Sequence, residues 1–258
     1  MTTLVDRISE RIKAALQYVG GVTLLLSEAF VYGVRPPYQL QLVFQELESI
    51  GINSLTVVNV IALFTGMVLA LQTASALGRF GAKGFIGVVV AISLVREIGP
   101  VFTGLMVAGR VGSGIAAEIG SMKVTEQIDA IRVMGANPVK RLVVPKLIAT
   151  IVALPLLTVI ADILGILGGL LITVTEFQVT TSYYLTSIME RISLQDVASG
   201  IGKTFFFGLI IALVGCYQGM TTHGGTVGVG RATTSTVVIC SILILICDFL
   251  LTKLFLML

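Results

Sequence analysis

Charge is what this chain has least of. Asp, Glu, Lys and Arg supply only 12% of its 258 residues, while 55% are hydrophobic. A soluble domain carries roughly 25% charged residues. The mean hydropathy of +1.00 leaves too little polar surface for a globule in water, so lipid must be the solvent for much of the chain. Alternating segments of about ten residues, the mark of a membrane barrel, are lacking too. The apolar runs are instead about twenty residues long and unalternated. Because every backbone N–H and C=O in hydrocarbon needs an internal partner, an all-α integral membrane protein is the fold that remains.

Groups that do covalent or metal chemistry are equally scarce. His223 is the sole histidine, which excludes paired-histidine metal sites, and no His/Cys cluster accompanies it. Cys216, Cys240 and Cys247 lie inside apolar runs without Cys-x-x-Cys spacing and read as small buried hydrophobes. No Gly-x-Ser-x-Gly elbow offers a nucleophile, so no enzyme active site is expected. Gly200-Ile201-Gly202-Lys203-Thr204 imitates the end of a phosphate loop, but Val197 stands where such a loop needs glycine. The chain therefore does not bind ATP that way, and Lys203 is expected to snorkel at the outer interface. A net charge of +3, with basic residues scattered and no interleaved aromatics, gives no sign of nucleic acid as a partner. Residues 1–30 carry Asp6, Arg7, Glu10, Arg11, Lys13 and Glu28 and no compact apolar core. No cleavable signal peptide is expected, and the first spanning helix serves as its own insertion signal.

What is present is a succession of helical patterns. Leu4, Ile8, Ile12, Leu16 and Val19 fall at helical spacing with charges on the other faces. A helix over 4–30 follows, lying either in the membrane interface or on the flank of a bundle. Arg35-Pro36-Pro37 ends it. Transmembrane helices are then expected near 52–77, 85–108, 143–175, 201–220 and 233–256. Pro155 and Gly165, Gly168 and Gly169 make the third tilted or broken. The segment from Glu176 to Gly200 has room for one short helix. Placing the N-terminus inside gives eleven basic residues to the inner side and five to the outer, with Arg96 alone inside a span. That bias predicts a cytoplasmic N-terminus and an outer C-terminus.

Residues 109–142 thus form the largest cytoplasmic loop, with an amphipathic helix of its own. Val124, Ile128, Ile131 and Met134 make its apolar stripe, and Gly135 and Pro138 stop it. Such a helix docks on a partner, lies on the membrane surface or caps the bundle. Arg96-Glu97, Asp162 and Asp248 put charge inside apolar runs, which is costly unless a partner or water is found. Neighbours on a helix do not face each other, so Arg96 and Glu97 are expected to have separate partners, as structural interhelical pairs or as cavity-lining groups. Asp248 reads as a structural or interfacial charge. Small residues recur four apart at Gly104/Ala108, Gly112/Ala116, Ala116/Gly120 and Gly165/Gly169, which reads as close helix packing, with flexibility around Gly109, Gly112 and Gly114 as the alternative.

Several motifs together resemble a known family. Arg96-Glu97-Ile98-Gly99-Pro100, Ala108-Gly109-Arg110-Val111-Gly112-Ser113, Ala117-Glu118-Ile119-Gly120-Ser121-Met122, Thr125-Glu126-Gln127-Ile128-Asp129-Ala130 and Met134-Gly135-Ala136-Asn137-Pro138 occur in order. Gly66-Met67-Val68-Leu69-Ala70-Leu71-Gln72 precedes them and Gly230-Arg231-Ala232-Thr233-Thr234 follows. The chain resembles the MlaE (YrbE) permease family over nearly its full length, departing at Lys146, where many relatives carry arginine, and in the outer loop. The resemblance implies a single permease domain over 1–258, working as a homodimer in the bacterial (Gram-negative) inner membrane. It implies an ATP-driven ABC transporter moving phospholipid between inner and outer membranes and so maintaining outer-membrane lipid asymmetry.

The implied partners are a second copy of the chain, a cytoplasmic ATP-binding subunit that holds ATP and Mg, a STAS-domain protein and a periplasmic MCE-domain ring. This chain itself would hold no cofactor. By the same resemblance residues 118–135 form the coupling helix, with Glu118, Thr125, Glu126, Gln127, Asp129, Met134 and Gly135 facing the ATPase. The lipid cavity would lie between the two copies, lined by Leu69, Leu77 and Phe80 with help from the last span, with Glu97 and Arg231 as candidates for lipid handling or gating. Two other readings compete: an ion-coupled secondary transporter using Glu97 and Asp162, for which no inverted repeat is visible, and a non-transporting membrane scaffold.

Overall fold

The computed structural model describes residues 4–36 and 39–257, and its regular elements among those residues are helices alone. In chain order they are α1 (Leu4–Val34), α2 (Leu40–Gly78), α3 (Ile86–Ser93), α4 (Gly99–Val107), α5 (Ser113–Val124), α6 (Gln127–Val133), α7 (Val144–Phe177), α8 (Thr181–Arg191), α9 (Leu194–Met220) and α10 (Gly225–Met257). The π turns Leu94–Ile98 and Ala108–Gly112 splice α3, α4 and α5 into one run, so the second span extends over Lys83–Val124. Among the described residues five helical runs are long and apolar enough to cross a membrane: Leu40–Gly78, Lys83–Val124, Val139–Phe177, Leu194–Met220 and Gly225–Phe255. They alternate in direction, which leaves α6 at one end of the bundle and α8 at the other.

The expected spans were too short wherever a polar residue had found a partner. α2 starts at Leu40, not near residue 52; its 39 residues rise about 58 Å at 1.5 Å each, roughly twice the hydrocarbon thickness. Residues 109–124, read as loop, continue the second span, because Arg110 hydrogen-bonds Ser54 on α2 and Glu118 pairs with Lys146 on α7. The helix expected over 118–135 is broken at Thr125–Glu126. Glu126 turns left-handed at φ +60°, so only Gln127–Val133 continues as α6. α9 starts at Leu194 because Ser193 and Asp196 form a capping box. The segment from Glu176 to Gly200 does hold one short helix, α8. α1 runs to Val34, past the expected end at residue 30, and packs on the bundle's flank through Leu25 and Ala29, with Tyr18 edge-on to Tyr217. The side chains of Leu4, Ile8 and Ile12, and residue Pro37, lie outside the described residues.

Packing depends on small side chains. The buried positions of α2 are Ile50, Ser54, Val58, Ala62, Gly66, Ala70 and Ala74, one narrow stripe of every fourth residue that lies chiefly on α7. A Cβ at Gly66 would collide with the carbonyl of Gly165, and one at Gly168 with the carbonyl of Leu63. The two backbones therefore touch, as small-residue spacing allows. Gly104, Gly112 and Gly120 likewise admit Phe207, Ile211 and Thr222. The other faces of α2 expose Phe44, Ile52, Val57, Val60, Phe64 and Val68, side chains suited to lipid or to another protein surface.

Candidate functional site

Toward the α8 end, the π turn Leu94–Ile98 meets α9 and α10 around a buried cation. Lys203 is only 1% exposed. Its ammonium donates to Glu97 Oε2 (2.7 Å), Thr252 Oγ1 (2.7 Å) and the Arg96 carbonyl (3.0 Å), which uses its three protons. Asp248 Oδ1 lies 3.0 Å away as an ion-pair contact without hydrogen-bond geometry. Lys203 was expected at the interface. It is buried instead, because two carboxylates and two polar oxygens replace its water. Arg96 and Glu97 do have separate partners: the Arg96 guanidinium pairs with Asp196, whose second oxygen accepts from Ser193 N and Oγ at 2.9 Å.

Two cations, Arg96 and Lys203, and two carboxylates, Glu97 and Asp196, thus line a cleft of about 430 Å³, with Ile92, Gln195 and Phe255 at its walls. Glu97 stays 40% exposed there. The arrangement can hold or pass a charged group at the edge of an apolar bundle, as charge inside a membrane protein commonly does.

Deeper along the second span, Asp162 of α7 is buried against Gly99, and its Oδ1 has no hydrogen-bond partner. At the α8 end, burial raises the Tyr184 phenol above its ordinary value, so it remains a donor, to the Ile166 carbonyl at 3.2 Å.

At the other end, α5 breaks into the α6 turn. Ile128 and Ile131 bury the stripe expected there, but Met134 leaves it, since the helix stops at Val133. Val133 and Met134 are 88% and 72% exposed, and Gly135 turns at φ +77°. Asp129 accepts from Lys123 at 2.9 Å and lies 3.4 Å from Arg132; the hydrogen bond from Lys123 lowers its carboxyl below the ordinary value. Thr125 closes α5 by bonding the Ser121 carbonyl at 2.8 Å. Glu126 and Gln127 are exposed, while Glu118 is drawn toward Lys146 at 2.7 Å. Val133 carried no sequence signal beyond its apolar type.

The residues expected to line a lipid cavity are dispersed in one chain. Leu69 and Leu77 are half-buried beside Ala70, Ala74, Ile86, Val90 and Leu94; Phe80 is 83% exposed. Arg231 is exposed near the start of α10, whereas Glu97 meets that helix at Thr252, about 30 Å farther along at 1.5 Å per residue. Glu97 and Arg231 are therefore not brought together within the chain. Sequence reading missed Asp196 and placed Lys203 outside; the Ser193-x-x-Asp196 spacing was the available signal for the first.

Comparison with known proteins gives a family. The family model described as Permease MlaE matches residues 43–254. A probable ABC transporter permease protein of Rickettsia felis is 45% identical over 99% of this chain and 98% of its own length. One from Synechocystis is 38% identical over 88% of this chain and 87% of that protein. The chloroplastic protein TRIGALACTOSYLDIACYLGLYCEROL 1 of Arabidopsis thaliana is 38% identical over 82% of this chain and 60% of that protein. With the family model matched across five membrane-spanning helices and these relatives aligned along most of the chain, the protein belongs to the MlaE permease family.

Proposed function

We propose that this chain is the membrane-spanning subunit of an ATP-driven ABC transporter that moves phospholipid between the inner and outer membranes and so maintains lipid asymmetry. The observation that carries the reading is the α5–α6 turn: an exposed Val133–Met134 tip carried by a short helix that follows directly on the span Lys83–Val124, in a family whose relatives are named as ABC permeases. A relative named for a galactosylated diacylglycerol supports a lipid as the substrate class. The turn faces the cytoplasm, with the N-terminus inside and the C-terminus in the periplasm, which agrees with the basic-residue bias.

A second copy covers the apolar faces of α2 and α10. The two copies enclose a cavity reached by Leu69, Leu77 and Phe80, with the Glu97–Lys203 cleft and Arg231 meeting the head group at different depths. ATP and Mg sit on the cytoplasmic partner; a STAS-domain protein and a periplasmic MCE-domain ring complete the complex. Closure of the ATPase pair pushes both turns and shifts the bundles between two packings.

The test is co-purification with the ATP-binding subunit, comparing the parent with Glu126→Ala/Asp129→Ala. The double change is expected to release the subunit or to lower ATP turnover severalfold. Unchanged assembly, turnover and lipid transfer would show that the turn is not the point of transmission. Transport driven by an ion gradient without ATP would favour the secondary-transporter reading, and no transport at all the scaffold.

A further inference from the structure

A second buried cation lies at the α6 end, apart from the cleft. Lys146, two residues into α7, is 3% exposed. Its ammonium sits 2.6 Å from Glu46 Oε1 on α2 and 2.7 Å from Glu118 Oε2 on α5. Two turns farther from this end on the second span, Arg110 donates to Ser54 Oγ on α2 at 2.8 Å. Residues 110, 114 and 118 share one helix face, as do 46, 50 and 54. Two parallel polar rungs therefore join the second span to α2, and between them lies a cavity of about 190 Å³ walled by Ile50, Gly114 and Ile115.

The buried stripe of α2 is otherwise apolar and lies chiefly on α7. A carboxylate as exposed as Glu118, at 54%, adds little stability by pairing. One carboxylate would balance the charge of a buried ammonium; this one holds two, on different helices. Glu118 lies six residues before the end of α5, with no break in the helix between it and the turn. Displacement of the turn therefore reaches Glu118 along rigid backbone. Because Lys146 keeps Glu46, and the cavity has room for water, the joint can move without leaving the ammonium bare.

We propose that Glu118–Lys146–Glu46 is the joint that passes movement of the α5–α6 turn to α2, the helix carrying Leu69 and Leu77, with Lys146 and Glu46 as positioning residues. The inference rests on the ATP-driven reading above. It is tested in the reconstituted complex with the ATP-binding subunit, measuring ATP turnover and fluorescent phospholipid moved per ATP. Glu46→Gln leaves Lys146 paired with Glu118, so the fold and the turn persist. The expected result is bound ATPase, ATP turnover within twofold of the parent, an unchanged melting midpoint, and at least a fivefold fall in lipid moved per ATP. Glu46→Asp, which keeps the charge, is expected to restore at least half of that ratio. An unchanged ratio in folded Glu46→Gln protein overturns the joint while leaving the ATP-driven reading intact. A lowered ratio that Glu46→Asp does not raise overturns the charge-based mechanism. Absence of ATP-driven transfer in the parent complex overturns the reading and the joint together.

Discussion

Replacing Lys203 by methionine tests the buried cluster on its own terms. The change keeps most of the side-chain volume and removes the ammonium that Glu97, Asp248, Thr252 and the Arg96 carbonyl share. Two carboxylates then face each other across a largely apolar interface. Removing one member of a buried ion pair costs about 3–5 kcal/mol. Glu97 is 40% exposed and keeps part of its hydration, so the lower end applies, about 3 kcal/mol. At 1.4 kcal/mol per decade this is more than a hundredfold in the folding equilibrium. The assay is reversible unfolding in mixed micelles with increasing dodecyl sulfate, followed by far-ultraviolet circular dichroism.

The companion Glu97→Gln/Lys203→Met/Asp248→Asn removes every charge around that ammonium and is expected to recover most of the loss, because a neutral, well-packed replacement of a buried ion network is often close to neutral in stability. If Lys203→Met alone unfolds within about 0.5 kcal/mol of the parent, the range of an ordinary surface change, the ammonium does not hold α9 to α10 and the π turn, and the reasoning fails. If the triple variant is stable yet transfers no lipid, the cluster's role is in transport rather than in folding.

Three further outcomes follow from the same geometry. Gly66→Leu is expected to force α2 off α7, since a Cβ there already meets the Gly165 carbonyl, and to cost at least about 2 kcal/mol as overpacking does. Gly51→Ala, with open space around its site, is the control, expected to be neutral or stabilising by up to about 1 kcal/mol; equal effects in the same unfolding assay would refute the close approach. Asp162→Ala removes a buried carboxyl whose Oδ1 lacks a partner and is expected to stay within about 1 kcal/mol of the parent or to exceed it; a loss above about 3 kcal/mol would reveal a compensated ion. Val133→Asp/Met134→Asp alters only exposed side chains, so the melting midpoint is expected to hold while the ATP-binding subunit no longer co-purifies; retained binding would remove the tip from the docking surface.

Hydropathy located the cores of all five spans, because lipid-facing Leu, Ile, Val and Phe dominate them regardless of what they pack against. Their ends were not legible. Arg110, Glu118, Asp196 and Lys203 look like loop or interface residues in a linear reading, and only the folded chain shows that Ser54, Lys146, Arg96 and Glu97 accept or balance them. The break before α6 was hidden for a different reason: Glu126 adopts a left-handed conformation without being glycine, so the usual punctuation was missing. Met134 left its stripe for another reason: α6 stops at Val133, and a stripe read at helical spacing loses its last member there. The separate partners of Arg96 and Glu97 were legible, because adjacent residues on a helix point apart. The triad around Lys146 was not, since its members lie 28 and 100 positions apart in the chain and no periodicity links them.

The most direct measurement is phospholipid movement between two vesicle populations, with this chain and the proposed ATP-binding partner complex reconstituted in one and the proposed periplasmic acceptor supplied to the other. The account requires transfer that depends on ATP and Mg and stops with a non-hydrolysable analogue. Transfer that runs without ATP on an imposed ion gradient, or ATP turnover that never moves lipid, would contradict it.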